Sequence, residues 1–366
     1  MIAGIRGVPS RHGGFETFAE DLSLFLVARN HRVTVYCQCE DGTDITEDMW
    51  NGVGRVLIPS PSNSAGTVYY DWVTTLHATR QKGVVLTLGY NTGVFSVLYR
   101  FHHLPNLMNM DGIEWQRRKW SIPQRVWLWL NEHGGALFAN HLIADHPEIA
   151  AHLRRHTAAG KITVIPYGAD RVTSAPCQLL AKYGLKTKGY YLLIARPEPE
   201  NSILEIIGAF SSGRVATPLV VLGRYSTAEN KYHLQVVQAA GPEVHFLGAI
   251  YDREIVRTLR FHAKAYIHGH SVGGTNPSLV ESLAAGNAVI AHDNRFTRWV
   301  TGENARFFKG SEDLEETLVS FEVNPAQLME MEGSSRRRHE TGLAKEKVLS
   351  AYEDLLSRVA QCYQAK

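Results

Sequence analysis

The sequence predicts an α/β protein built from two doubly wound units with parallel sheets. Three observations carry that expectation. The chain has 366 residues, a length that usually means two domains, each large enough for its own core. Short apolar runs alternate with amphipathic helical stretches, the pattern of repeated strand–helix–strand units. The alternation comes in two series, separated by a weaker segment that contains Pro176.

In the first series Met1–Ile5 reads as a short strand and Arg6–Gly14 as a loop holding Gly7, Pro9, Gly13 and Gly14. A helix follows from Phe15 to Arg29, with Phe18, Leu22, Phe25 and Leu26 on one face. Further strands are expected at Arg32–Cys37, Gly54–Ile58, Val84–Leu88, Leu107–Met110, His141–Ala144 and Lys161–Pro166. Residues 59–67, rich in Pro, Ser, Asn and Gly, read as a loop. The second series has strands at Tyr190–Ala195, Leu219–Leu222, Val244–Leu247, Ala265–Ile267, Ala288–Ala291 and Ala305–Phe308. Helices stand between them at Ile203–Phe210, Glu229–Ala239 and Arg253–Phe261. A long amphipathic helix, Leu343–Tyr363, carries Val348, Tyr352, Leu355, Leu356 and Val359, and is free to pack back on the first domain. The expected organisation is therefore 1–170, 171–345 and a returning helix at 346–366, with the boundary region at 168–180.

Composition excludes several classes. With 38 Lys plus Arg against 36 Asp plus Glu, the net charge is +2, too balanced for a nucleic-acid binder on global charge. The 17 histidines read as scattered, with only His102-His103 adjacent and no His-Glu-x-x-His, so no metal site is expected. Cys37, Cys39, Cys177 and Cys362 form no Cys-x-x-Cys, which disfavours a disulfide scaffold or a structural zinc site and fits a reducing cytosol. No stretch approaches the roughly 20 apolar residues of a membrane span, and no basic region precedes an apolar run. A soluble, cytoplasmic protein is the expectation. The first strand starts almost at Met1, which suggests a residue or two upstream.

The most informative stretch is Gly269–Asp293. A Gly-rich turn enters a short helix that Thr275 or Asn276 can cap, that Pro277 suits at its first position and that Gly286 suits as its stop. Leu279, Val280, Leu283 and Ala284 form the buried stripe. Glu281 lies off it, on the face shared by Pro277 and Ser278. Free N–H groups at a helix start favour an anion, and a carboxylate just behind them suits a ribose or sugar diol. A nucleotide-sugar presents both.

Several segments, taken in order, resemble a GT-B glycosyltransferase of the large retaining group called family 4. Pro166-Tyr167-Gly168-Ala169-Asp170 resembles the hinge that ends the first domain, and Ala195-Arg196-Pro197-Glu198-Pro199-Glu200-Asn201 the opening of the second. Val220-Val221-Leu222-Gly223 and Val244-His245-Phe246-Leu247-Gly248 resemble its next two strand-to-loop transitions, and the Gly269–Asp293 stretch its nucleotide-sugar loop. Gly4-Ile5-Arg6-Gly7-Val8-Pro9, Gly13-Gly14-Phe15-Glu16-Thr17-Phe18 and Asp111-Gly112-Ile113-Glu114-Trp115-Gln116-Arg117 resemble a narrower subgroup that includes rhamnosyl- and glucosyltransferases of bacterial surface polysaccharides. The resemblance covers nearly the whole chain. It implies two Rossmann-like domains facing a cleft, an acceptor-binding first domain and a donor-binding second. It also implies transfer of a hexosyl group with retained configuration, without a bound metal or other cofactor. The donor implied is a UDP-sugar, with a dTDP-sugar second; the acceptor is a glycan or lipid-linked glycan. The absence of an Asp-x-Asp motif agrees, leaving helix termini and Arg or Lys to meet the diphosphate.

Residue by residue, Glu281 matches the last Glu of the family's Glu-x7-Glu motif, which binds the ribose; the bland reading is a solvated helix carboxylate. The first Glu of that motif falls on Gly273, so the backbone of Gly273, Gly274 and Thr275 is expected to face the sugar or phosphate instead. Arg196 matches the diphosphate Arg. The partner Lys falls on Asn201, which leaves Arg224 and Lys231 as candidates for the second cation. With Gly223 and Asn276 these complete the expected donor site. Arg6, Gly13 and Gly14 form an acceptor or phosphate loop, beside which Glu16 binds an acceptor hydroxyl or simply caps its helix. Asp111 either polarises the acceptor or binds a sugar hydroxyl, or is a turn residue before Gly112. No protein nucleophile is named, since the family's favoured picture has the leaving phosphate take the acceptor proton. In Trp115–Leu130 cations interleave with Trp. The pattern favours a core-packed helix with a basic face over an interfacial patch touching the inner membrane. Arg336-Arg337-Arg338 reads as a solvated helix face. The rival functions are a nucleotide-sugar 2-epimerase, which the Gly273–Glu281 loop disfavours, and a non-catalytic nucleotide-sugar binder, to which Gly273 and Asn201 give weight.

Overall fold

The computed structural model describes residues 1–10, 13–117, 120–303, 305–324 and 326–364. The chain forms two compact units: Met1–Pro166 with the segment from Leu349 on, and Tyr167–Val348.

The first unit runs β1 (Ile2–Ala3), α1 (Gly14–Ala28), β2 (Thr34–Cys39), β3 (Thr46–Trp50), β4 (Val53–Pro59), α2 (Ser64–Ala78), β5 (Val85–Leu88), α3 (Ser96–Phe101), β6 (Asn106–Asn109), α4 (Ile122–Phe138), β7 (His141–Ala144), α5 (Pro147–Leu153) and β8 (Ile162–Val164). Its 8-stranded sheet has the order β3-β4-β2-β1-β5-β6-β7-β8. Every pairing is parallel except β3 with β4. The central strands are buried on both faces, as parallel strands flanked by helices must be. The sequence reading missed β3. Its Thr-Glu-Asp-Met-Trp run is polar and exposed, the composition of a blunted edge rather than a core strand. The loop expected at 59–67 is shorter than predicted. Asn63 accepts the Gly66 N–H at 2.7 Å and starts α2 at Ser64, so the Asn belongs to a cap rather than to a loop.

The second unit runs β9 (Tyr191–Ile194), α6 (Ile203–Phe210), β10 (Leu219–Leu222), α7 (Lys231–Gln238), β11 (Val244–Gly248), α8 (Arg253–His262), β12 (Ala265–His268), α9 (Pro277–Ala284), β13 (Val289–His292), α10 (Arg295–Thr301), β14 (Arg306–Phe308), α11 (Ser311–Val323) and α12 (Ala326–Gly342). The 6-stranded, all-parallel sheet has the order β11-β10-β9-β12-β13-β14. Its largest core packs Ile203, Ile206, Ile207 and Phe210 of α6 against Tyr191, Leu193 and Val221. Each such fully buried side chain is worth about 1.5–3 kcal/mol. Arg338 departs from the solvated reading of the Arg triplet: its guanidinium donates to the carbonyls of Trp299 (2.8 Å) and Val300 (3.0 Å), while Arg336 and Arg337 are exposed.

The last helix, α13 (Lys345–Gln364), returns to the first unit. Tyr352 packs its ring 4.7 Å from that of Phe18 on α1, and its hydroxyl accepts a bond of 2.7 Å from Asn109 of β6. Tyr352 and Leu355 of the predicted stripe are buried. Leu356 and Val359 are half-buried.

Candidate functional site

Numbered along the second unit, its strands follow the order 3-2-1-4-5-6 of a doubly wound dinucleotide-type sheet. The strands stay parallel, but the direction in which successive strands are added reverses between β9 and β12. Crevices at such switch points, beyond the carboxyl ends of the strands, are where these sheets take ligands. The loops that leave β9 and β12 are the two that sequence reading singled out.

These loops are locked together. Asn201, 4% exposed, donates through Nδ2 to the Arg196 carbonyl at 2.8 Å. A Cβ on Gly269 would overlap the Asn201 carbonyl oxygen. Ser271 donates to the Glu200 carbonyl from its N–H (2.9 Å) and its Oγ (2.8 Å). Asn201, where the sequence resemblance led one to look for a cation, is therefore a clamp for the Arg196 turn. Arg196 itself is exposed just beyond β9. Gly223 directly follows the neighbouring β10, where a Cβ would sit 2.6 Å from the Ala195 carbonyl oxygen, so only Gly fits. Exposed Arg224 follows it, and exposed Lys231 opens α7 behind the Asn230 cap. Among the described residues none of these three cations has a carboxylate partner.

Past Gly269 the chain reaches Gly273 at φ +131°, a conformation side chains resist, with open space where its Cβ would be. Gly274 follows, then the buried Thr275. Asn276, rather than Thr275, caps α9, accepting the Ser278 N–H at 3.0 Å. Gly286, at φ +71°, lies just past the helix end. Leu279, Val280, Leu283 and Ala284 are buried against Val289, Ala291 and Val300. Glu281 stays on the opposite face, its side chain 34% exposed, and its Oε2 meets Arg260 Nη2 at 2.5 Å. Arg260, 11% exposed, also donates to Ser278 Oγ at 3.1 Å; that hydroxyl lies 2.7 Å from the Tyr266 hydroxyl. Sequence reading missed Arg260. The guanidinium holds one of the two carboxylate oxygens, Oε2.

A second feature at these strand ends was also missed. His268 and His270 stack with centroids 4.4 Å apart and an interplanar angle of 5°. Burial, then the neighbouring imidazoles, push His268 well below the ordinary imidazole range, so it is neutral. Asn294 donates to the His270 carbonyl at 3.0 Å.

The first unit has its own switch point, between β1 and β5. A cavity of about 350 Å³ opens there, lined among others by Arg6, Gly14, Glu16, Asp71, Asn91 and Thr92. Gly13 precedes α1 in extended backbone, without a side-chain cap among the described residues, and Glu16 Oε1 accepts the Arg6 N–H at 3.4 Å. The structure thus brings Arg6, Gly14 and Glu16 to one cavity. Asp71, which sequence reading did not single out, lies in its wall. Burial raises its carboxyl to about 6, opposed by the bond that Thr92 Oγ1 donates to its Oδ2 at 2.9 Å. Asp111 is exposed two residues beyond β6, before Gly112 at φ +73°, and does not line this cavity.

The segment after Asp111 is pinned from below. The Glu114 N–H donates to the Tyr90 hydroxyl at 2.7 Å, and the Trp115 indole N–H donates to Glu132 Oε2 at 3.0 Å. Of the basic Trp-rich run, Arg118 and Lys119 lie outside the described residues. The core-packed expectation holds for only one face of α4. Leu128, Asn131, Glu132 and Gly135 are buried, whereas Ile122 (76% exposed), Val126, Trp129, Leu130 and Leu137 (69%) form an exposed apolar stripe. No described helix is long and apolar enough to cross a membrane. Among the described residues, one group has metal-ligand spacing: Glu132, His152 and His156. The His-x3-His pair was in the sequence, hidden by reading the histidines as scattered.

Comparison with known proteins adds to this. A family described as a domain of unknown function, DUF1972, matches residues 1–170. No curated protein matches the chain in sequence. Among solved structures, sucrose-phosphate synthase from Thermosynechococcus elongatus superposes with TM-score 0.81 at 16% identity, over 100% of this chain and 99% of its own. Anabaena HepE in complex with UDP gives TM-score 0.74 at 13% identity, over 98% of each chain. A glycosyltransferase from Rickettsia africae gives 0.73 at 13% identity, over 98% of each chain. At such identities the likeness establishes architecture: two parallel-sheet, Rossmann-like α/β domains of the GT-B fold, with the last helix returned to the first.

Proposed function

We propose that this protein is a family 4-like, retaining glycosyltransferase. It moves a glucose- or rhamnose-type hexosyl group from a nucleoside-diphosphate sugar, UDP first and dTDP second, to a glycan or lipid-linked glycan in bacterial surface polysaccharide synthesis. One observation carries the reading: at the second unit's switch point, the Gly273–Thr275 turn and the α9 start stand ahead of a Glu281 carboxylate that Arg260 holds in place. The neighbouring HepE structures hold UDP, and UDP-glucose, which supports the donor class.

In this reading Arg196, Arg224 and Lys231 meet the diphosphate with the amides of Gly273, Gly274 and Thr275, in place of a metal ion. Glu281 accepts hydrogen bonds from the ribose diol, Asn276 fixes the helix start, and Gly223 lets the chain pass close to the nucleotide. The acceptor's hydroxyls are received at the first-unit cavity by Glu16, Asp71 and the Arg6, Gly13 and Gly14 loop. Asp111 polarises the attacking hydroxyl. The bond from that oxygen to the anomeric carbon forms on the face from which the phosphate leaves. The anomeric carbon–phosphate oxygen bond breaks, and the departing phosphate takes the acceptor proton. The apolar stripe of α4, with Arg125 beside it, supports a peripheral, cytoplasmic placement against an anionic membrane carrying a lipid-linked acceptor.

A thermal-shift screen of UDP-, dTDP- and GDP-sugars tests the donor assignment, because a bound ligand raises apparent stability by mass action. A selective upward shift with a UDP- or dTDP-sugar, followed by nucleoside diphosphate release on adding acceptor, is expected. Binding without release would leave a non-catalytic binder, and an epimerised nucleotide-sugar would mean an epimerase. No shift with any donor would overturn the reading.

A further inference from the structure

A cluster in the first unit lies apart from the cavity and owes nothing to the transfer reading. Glu132, on the inner face of α4, is 1% exposed. Its Oε1 has His152 Nε2 at 2.7 Å and His156 Nε2 at 3.6 Å, and the ligand atoms all lie within 4.8 Å of one another. Its Oε2 accepts the Trp115 indole N–H at 3.0 Å. An ion pair accounts for the His152 contact. It leaves His156 unexplained, because among the described residues the buried His156 Nε2 has no hydrogen-bond partner. The ring of His133 stacks on that of His156 with centroids 4.5 Å apart, and its Nδ1 lies 2.9 Å from the Trp129 carbonyl oxygen.

Buried polar atoms are rarely left without a partner. Two imidazoles four residues apart plus one carboxylate form a ligand set for a borderline divalent cation of the zinc class; Mg²⁺ and Ca²⁺ require more oxygen. With metal–ligand bonds of about 2.0–2.1 Å, the edges of a tetrahedral site are about 3.3–3.4 Å. The Glu132–His156 separation is already near that value, and the Glu132–His152 pair needs to open only from hydrogen-bonding distance. Both histidines are partly exposed, with side chains 12% and 20% accessible, which gives an ion a way in.

We propose that Glu132, His152 and His156 bind a zinc-class divalent cation, with solvent completing the coordination. None of the three lines the cavity, so the ion is a brace rather than a catalyst. Binding replaces the His152–Glu132 hydrogen bond with two metal–ligand bonds and ties the end of α5 to α4. Through Trp115 it also stiffens the segment that begins at Asp111. The Glu132–Trp115 bond is the outer-shell contact that orients the ligating carboxylate.

The test uses the full-length protein, stripped with chelator and titrated with Co²⁺ and Zn²⁺. Expected are visible ligand-field bands at one equivalent of Co²⁺, their displacement by Zn²⁺, and a higher unfolding temperature with either ion. Trp115→Phe should weaken Co²⁺ binding about 10–100-fold, the range for a lost outer-shell contact. His156→Gln, which keeps a similar shape, should weaken it more, and His152→Ala with His156→Ala should abolish the bands. His103→Ala, in an exposed turn, should change nothing. No saturable binding to the wild type would overturn the proposal. So would bands that survive in the folded His156→Gln protein, since the metal would then sit elsewhere.

Discussion

Glu281→Ala separates two roles of one carboxylate. In the free protein Glu281 neutralises Arg260 at 2.5 Å, and the two side chains are 34% and 11% exposed. Removing one partner of a fully buried pair costs about 3–5 kcal/mol. Glu281 is a third exposed, which screens the pair, and Arg260 keeps Ser278 Oγ at 3.1 Å, so a cost of about 1–3 kcal/mol is expected. For a unit of this size that lowers the melting temperature by about 2–4 °C per kcal/mol. Loss of a charge-assisted bond to the ribose removes about 1.5–3 kcal/mol of nucleotide affinity, a Kd about 10–150-fold weaker. Calorimetry with UDP, run on variants shown to be folded, reads the second effect; thermal unfolding without ligand reads the first. Arg260→Leu provides the counterpart: it disturbs the carboxylate's orientation but keeps its charge, so nucleotide binding should weaken less than in Glu281→Ala. A Glu281→Ala protein that loses stability but binds UDP as the wild type does would refute the ribose role and leave Glu281 as the partner of Arg260 alone.

Other expectations are independent of this pair. Asp111→Asn should cut transfer strongly while nucleotide affinity by calorimetry stays unchanged; loss of both would mean a folding role. Asp71 binds its proton more tightly in the folded protein, at about 6, than in the unfolded chain, at about 3.9. Its contribution to stability therefore falls as pH rises between those values and is flat above them. Asp71→Asn should abolish that part of the pH dependence in denaturant titrations, and an unchanged profile would contradict the burial argument. Gly269→Ala forces a methyl onto the Asn201 carbonyl and should destabilise by about 1–3 kcal/mol or more by denaturant unfolding. Trp129→Glu on the exposed face of α4 should reduce co-sedimentation with anionic vesicles without changing UDP affinity; equal co-sedimentation would remove α4 as the contact.

The parts legible in the sequence were those where local chemistry and tertiary role agree. Asn276, Pro277 and Gly286 punctuate α9 by backbone rules, and its stripe from Leu279 to Ala284 has one periodicity, so the helix and the exposed position of Glu281 could both be read. Arg260 could not, because its pairing depends on how α8 and α9 pack, and nothing in the spacing of Arg260 and Glu281 states that. Strand β3 is acidic and exposed, so it gives no alternation to detect. Asp71 sits in an ordinary amphipathic pattern, and only the sheet order brings its wall of α2 to the β1–β5 switch point. Asn201 looked like a missing cation. Its burial and its bond to the Arg196 carbonyl reveal a clamp, a role sequence comparison alone does not suggest.

The most direct test of the account is to follow a UDP- or dTDP-sugar with the purified protein and a glycan acceptor, reading nucleoside diphosphate release together with the anomeric configuration of the product by NMR. The account predicts release that depends on acceptor, a product with the donor's configuration, strongly reduced release in Asp111→Asn, and reduced release at subsaturating donor in Glu281→Ala. Tight donor binding with no release, or a product of inverted configuration, would contradict it.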